Sequence, residues 1–265
     1  MSEAREELDT TRPQSARMYD YYLGGKDWFE VDREAAERVR AVYPPVGSAA
    51  RANRAFMHRA MRLLAAEHGM RQFLDIGTGI PTEPNLHQVV QSVAAHARVV
   101  YVDHDPLVLE YADALLRGTP EGRTAYVEAD FRVDDLLSHP RVVDVLDLTR
   151  PLVLSLVALL HFVGDAEDPH GMVRRVIERL PQGSWLVLTH ATDEFDPAAA
   201  RRGEEIYRGG GTEFRLRPRE EIVRFFDGLE LLDPGVALAH RWRPEGISAL
   251  TDYEVSAYVG VARKG

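Results

Sequence analysis

The chain contains no cysteine among its 265 residues. Disulfides and zinc–thiolate centres are therefore excluded. Lysine is almost missing, with Lys26 and Lys264 the only two, so arginine carries the positive charge. Acidic side chains outnumber basic ones, 42 to 32, giving a formal net charge of −10. That balance argues against a nucleic-acid partner, because phosphate recognition depends on clustered cations. No apolar run approaches the roughly 18–20 residues that a membrane-spanning helix needs. The start Met1-Ser2-Glu3-Ala4-Arg5 has no signal-peptide character, so the expectation is a cytoplasmic protein without a membrane partner. His-x-x-x-His and comparable ligand spacings are missing too, and no metal is expected.

What is present is concentrated in two short runs, Phe73-Leu74-Asp75-Ile76-Gly77-Thr78-Gly79 and Val99-Val100-Tyr101-Val102-Asp103. Each is apolar and carries an aspartate, and a helix-length segment separates them. This pattern predicts a strand, a glycine turn, a helix and a second strand with an acid at its tip. In such a unit the turn brings backbone close to a ligand, and the acid can hold two ribose hydroxyls. Gly77 and Gly79 would equally serve a plain tight turn, and Asp103 would equally cap the next helix. With both acids in register with the glycines, a nucleoside-containing cofactor is the stronger reading. A dinucleotide site is disfavoured, since Thr82, preceded by Pro81, stands where a third small residue is wanted. Asp75 would repel a pyrophosphate, whereas it suits a cofactor with a cationic end.

The rest of the chain reads as alternating helices and strands. Helices are expected at 15–23, 31–42 and 48–68, the last with Phe56, Met57, Ala60, Met61 and Leu64 on one face. Strands are expected at 71–76, 98–103, 124–130, 151–156 and 185–189. Thr82 is the expected N-cap of the helix after the glycines, with Pro84 in its first turn, and Pro106 is expected to open the next helix. Helices follow at 169–180 and 218–227, and strands at 229–232 and 256–262 close the chain. This order predicts an α/β fold: a doubly wound, seven-stranded, mostly parallel sheet with an antiparallel C-terminal edge pair. Residues 1–70 would form a helical extension or lid, and 71–265 the cofactor-binding domain.

Asp75-x-Gly77-x-Gly79 resembles motif I of the class I methyltransferases, which bind S-adenosylmethionine and release S-adenosylhomocysteine. The run Arg17-Met18-Tyr19-Asp20-Tyr21-Tyr22-Leu23-Gly24-Gly25-Lys26-Asp27, followed by Val31-Asp32-Arg33, is more specific. With Leu74 to Thr82 and Trp242-Arg243-Pro244, it resembles a bacterial S-adenosyl methyltransferase family long catalogued as a domain of unknown function. The resemblance implies that Asp75 faces the methionine ammonium, that Asp103 takes the ribose and that His104 lies against adenine. It further implies that Asp130 and Phe131 flank the adenine, and that Ser155 and Leu156 end strand four beside the methyl group. Tyr22 and Gly25 would belong to a lid over the cofactor, among Tyr19, Tyr21, Trp28 and Phe29; these aromatics would also serve as anchors to the core.

His161, in Leu159-Leu160-His161-Phe162, is the candidate general base for a hydroxyl acceptor. Such a histidine can also merely pack. Asp165, Glu167 and Asp168 are expected to charge a helix start, and Arg217 and Arg219 to sit on a solvated one rather than to pair with an acidic substrate. The expected activity is methyl transfer to a small molecule, with O-methylation in view. Its rivals are a protein that binds the cofactor without turning it over, a protein methyltransferase, and a nicotinamide-dependent oxidoreductase.

Overall fold

A computed structural model of the chain describes residues 10–105, 108, 111 and 118–265. The start expected for a helix at Pro106 lies outside these residues. Among them, the strands are β1 (Gln72–Ile76), β2 (Arg98–Asp103), β3 (Arg123–Glu128), β4 (Val153–Leu156), β5 (Trp185–Ala191), β6 (Glu230–Leu231), β7 (Ala237–Leu238) and β8 (Ala257–Arg263). They form one sheet in the order β3-β2-β1-β4-β5-β8-β6, with β7 also paired to β8. Pairing is parallel from β3 through β5, and β8 runs antiparallel to β5, β6 and β7. The sheet therefore has eight strands where seven were expected. The additional strand is the two-residue β7, too short to leave an alternation in the sequence.

Alternation along the strands separates two cores. Phe73, Val99, Tyr101, Val153, Val187 and Val259 face one side. Leu74, Val100, Val102, Leu154, Leu186 and Leu188 face the other. Both sides are covered, which explains why β4 reads as a continuous apolar run. Helix α3 (Val46–Ala66) lays Phe56, Met57, Ala60, Met61 and Leu64 into the first core. A division at residue 70 would thus cut one continuous core. Trp242 is fully buried in the same core and meets the Phe56 ring edge-on at 5.0 Å.

Helices α1 (Ser15–Leu23) and α2 (Glu30–Val42) form a third cluster with Tyr207 of a later helix. The N-terminal signature is explained here. Arg17 Nε lies 2.9 Å from Asp32 Oδ2, and both side chains are buried. Asp32 also accepts from the Gln14 and Phe29 amides. Breaking such a buried pair typically costs ~3–5 kcal/mol, so this contact fixes how α1 meets α2.

Two local expectations need correction. After the glycine turn, α4 (Leu86–Gln91) begins at Leu86, and Asn85 is its N-cap. Thr82 instead turns its hydroxyl back to the Ile80 carbonyl. The Gln88 side chain accepts from the Asn85 amide, completing half of a capping box that the sequence shows. Beyond β3 the chain forms α5 (Pro140–Val145), then α6 (Pro169–Arg179) after β4. The segment after β5, where no helix was expected, contains α7 (Pro197–Gly209), with the Asp196 carboxylate accepting from the Ala199 amide. Its short α8 (Arg219–Val223) sibling runs on into a 3₁₀ turn at Arg224–Phe226.

Candidate active site

Strand order reverses between β1 and β4, and the carboxyl ends of those strands open the crevice where such sheets bind ligands. The turn after β1 is shaped by Gly77 (φ +73°) and Gly79 (φ +64°). A side chain at Gly77 would also collide with Leu159, whose Cδ1 lies 2.6 Å from the Cβ position. The Gly79 amide donates to Asp103 Oδ2 at 2.7 Å. Asp103 Oδ1 accepts from the His104 and Asp105 amides at 2.8 and 3.1 Å. One carboxylate at the end of β2 thus locks the glycine turn of β1. Burial pushes the Asp103 carboxyl up, against the pull of those amide donors.

Three compartments with shared walls lie along the crevice. The first is bounded by Gly77, Asp103, His104, Asp130 and Phe131. The second holds Asp75, Gly79, Asn53 and Arg54. The third is an apolar pocket of about 150 Å³ containing His161, Tyr22 and Tyr207. Ser15 and Phe162 line all three, and Tyr19, Asn53 and Ala158 line both the second and the third. Ala158 turns the chain away from β4 in the left-handed region (φ +55°), its amide donating to Thr189 Oγ1 at 2.8 Å. Strain of this kind persists where surrounding contacts impose it, often at functional sites.

Asp75 is raised to about 6 by burial, despite neighbouring hydroxyls and the Arg54 charge. Asp130 is held below the usual carboxylate range by the Arg132 guanidinium on it. His161 is lowered to about 3, first by burial and then by the Arg217 charge, so its imidazole is neutral. Its Nδ1 is buried without a partner. His161 packs edge-on against Phe162 and Phe214, at 4.5 and 5.3 Å between ring centroids.

Of the residues singled out from sequence, Asp75, Gly77, Gly79, Asp103, His104, Asp130 and Phe131 converge on the first two compartments. Ser155 and Leu156 do not line the crevice; both are fully buried in β4 beneath it. Tyr22 lies in the apolar pocket rather than over the first two compartments. Gly25 lines none of the three. It turns the chain after α1, where a Cβ would strike the Asp20 carboxylate.

Arg217 overturns the solvated-helix reading. Its side chain is 0% exposed and donates to the Leu160 and Val163 carbonyls, to His190 Nε2 and to Asp165 Oδ1, at 3.0, 3.0, 3.0 and 2.6 Å. It clamps both sides of His161. Asp168 does cap α6, accepting from the Gly171 amide, while Asp165 faces Arg215 and Arg217. Arg54 and Asn53 were missed because they sit on a helix whose apolar face is its dominant signal. Among the described residues, no three His, Asp or Glu side chains gather as metal ligands, and no helix is long and apolar enough to cross a membrane.

The profile of a family described as S-adenosyl methyltransferase matches residues 1–265. A DUF574 family protein from Streptomyces avermitilis, known from its crystal structure, is 47% identical. The match covers 98% of this chain and 100% of that one, with a TM-score of 0.95. A candidate methyltransferase from Thermobifida fusca is 38% identical over 97% of each chain, with a TM-score of 0.88. Human N-acetylserotonin methyltransferase, crystallised with S-adenosylmethionine, is 16% identical, with a TM-score of 0.50 over 96% of this chain and 63% of its own. At that identity the likeness concerns fold alone. No curated protein matches the chain.

Proposed function

Because the chain belongs to the S-adenosyl methyltransferase family, we propose that it methylates a hydroxyl on a small molecule held in the apolar pocket. The observation that carries this reading is a neutral, buried His161 in a pocket that shares walls with the cofactor cleft. The donor set suits the cofactor. Asp103 keeps lone pairs for ribose hydroxyls, His104 and Phe131 border the space for adenine, and Asp75 offers a carboxylate for the ammonium. Arg54, in the lining of the second compartment with Nη2 donating to the Thr82 and Pro84 carbonyls, offers a cation for the methionine carboxylate.

When bound, S-adenosylmethionine supplies a methyl group on a cationic sulfur that leaves as a neutral thioether. The protein's part is to hold an oxygen in line with that methyl and exclude water. As the oxygen attacks, it gains positive charge and becomes strongly acidic. His161 therefore needs little basicity to take the proton, and its low proton affinity keeps it free to accept at neutral pH. His161→Ala should lower kcat about 100-fold for phenolic acceptors, read by transfer of labelled methyl, with S-adenosylhomocysteine affinity unchanged. The wild-type rate should show no His161 limb between about pH 5 and 8. Equal loss of cofactor affinity in the variant would instead give His161 a packing role.

Asp75 makes a separate expectation. Its folded pKa lies above the unfolded value, so it contributes stability when protonated, and this is lost as pH rises through about 6. Asp75→Asn should therefore stabilise the ligand-free protein by about 1–3 kcal/mol at pH 7 while weakening S-adenosylmethionine binding roughly 10-fold or more. A melting scan with a calorimetric titration tests both; a variant less stable than wild type at pH 7 would refute the first half. A protein that only binds the cofactor is disfavoured by an acceptor pocket that shares Tyr19, Asn53 and Ala158 with the second compartment. Protein methylation is disfavoured by a pocket set between α1, α3 and α7 rather than along a groove.

A further inference from the structure

We infer that the acceptor is an uncharged molecule presenting one aromatic ring, and that the apolar pocket selects it by offering no cation and only one acid, Asp196, which already caps a helix. The inference rests on the methyltransferase reading above and concerns only the third compartment. No lysine or arginine lines that pocket. His161 is neutral there, and the one acidic side chain, Asp196, has Oδ1 engaged with the Ala199 amide at the start of α7. A carboxylate, phosphate or sulfate would lose its hydration and gain no partner, at a large cost.

The walls point to a ring. Phe162, Tyr207 and Phe214 pack on one another with centroids 4.3–5.7 Å apart, and the His161 ring joins this group. Aromatic faces and edges of this kind favour a further ring in offset or T-shaped contact. The volume of about 150 Å³ suits one ring, since an apolar cavity of roughly that size takes up benzene.

Two buried polar atoms at this pocket are unpartnered. Tyr19 donates its hydroxyl proton to the Ala50 carbonyl, so Asn53 must present its NH₂ to Tyr19, at 2.8 Å. That fixes the amide orientation and leaves Asn53 Oδ1 buried without a partner. His161 Nδ1 is likewise unpartnered. A buried carbonyl oxygen and a buried imidazole nitrogen, both without partners, in a cavity whose one acid already caps a helix, call for a neutral ligand that brings its own O–H. In the reaction, an oxygen lone pair forms the new O–C bond as the S–C bond breaks, its electrons staying on sulfur. The hydroxyl proton passes to the imidazole and then to solvent.

The test uses the full chain and three probes of one ring each: para-fluorophenol, para-fluorobenzoate and para-fluorobenzylamine. At neutral pH the first is uncharged, the second anionic and the third cationic. Binding is read by fluorine NMR with and without saturating S-adenosylhomocysteine. Para-fluorophenol should bind at least 10-fold tighter than either charged probe. Gly203, on the pocket wall in α7, has open space at its Cβ position. Gly203→Leu should therefore weaken phenol binding at least 10-fold and leave S-adenosylhomocysteine affinity unchanged. Equal or tighter binding of a charged probe would overturn the inference, as would phenol binding indifferent to Gly203→Leu. Failure of S-adenosylhomocysteine to bind, with phenol discrimination intact, would strike the cofactor reading and spare this one.

Discussion

Asp103→Ala should weaken S-adenosylmethionine and S-adenosylhomocysteine binding by about 100- to 1,000-fold. Two losses combine. A carboxylate accepting from ribose hydroxyls makes charge-assisted hydrogen bonds, each worth about 1.5–3 kcal/mol. The same carboxylate also holds the Gly79 amide at 2.7 Å, so the glycine turn loses its tether to β2. A summed loss of about 3–4 kcal/mol corresponds to the stated range. Asp103→Asn keeps one acceptor oxygen and the shape, and should fall between variant and wild type. Folding should suffer less than binding, because burial already disfavours the ionised carboxyl, although the Gly79, His104 and Asp105 amides lose their acceptor. Calorimetric titration of the three proteins measures the effect, with NADH as a control that should not bind. Full affinity in Asp103→Ala would remove the ribose role, and binding of NADH alone would remove the cofactor assignment.

The cofactor half of the site was legible because its residues are set by backbone needs. Gly77 and Gly79 adopt positive φ, and Asp103 ends a strand in register with them; both constraints leave marks at fixed spacing. Helices α1 and α2 and strands β1, β2 and β5 were legible for a related reason, since their apolar periodicity matches their burial. The individual side chains of the acceptor half were not legible. Asn53, Tyr207 and Phe214 come from three separate segments and meet only after α3, α7 and the loop beyond it have packed. Helix α7 begins at Asp196-Pro197, a capping signal, yet its paired arginines, glutamates and glycine hide the buried face that Ala199, Gly203 and Tyr207 form. Tyr22 illustrates the same limit. Its position on an aromatic helix was readable, but the compartment it faces depends on Tyr207, whose hydroxyl lies 3.5 Å away and 185 residues along the chain. Strand β4 was found correctly, yet Leu156 packs into the second core, while Ser155 is buried in register with Asp75.

Arg217→Met should be the most destabilising single change at the site, costing about 3–5 kcal/mol. Sequence suggested a solvated arginine; the structure buries it and gives it four acceptors. Methionine can fill the space but leaves the Leu160 and Val163 carbonyls without their donor, and these flank the candidate base. His190 Nδ1 donates to the Ala191 carbonyl, so its Nε2 lone pair must accept from Arg217 and would also be orphaned. Arg217→Lys should rescue only part of the loss, because an ammonium lacks the planar fork that reaches several acceptors at once. Asp165→Asn should be mild, that carboxylate being 62% exposed. The charge of Arg217 also helps hold His161 near 3, so the variant should raise the His161 pKa, visible by NMR. Because that pKa lies below the unfolded value, wild-type stability should fall as pH drops from about 6.5 toward 3. The variant should lose some of that slope while starting from a lower plateau. At about 2–4 °C per kcal/mol, the melting midpoint at pH 7 should drop by about 6–20 °C. A midpoint within about 2 °C of wild type, or an unmoved His161 pKa, would show that the loop carrying His161 is held by its apolar packing instead.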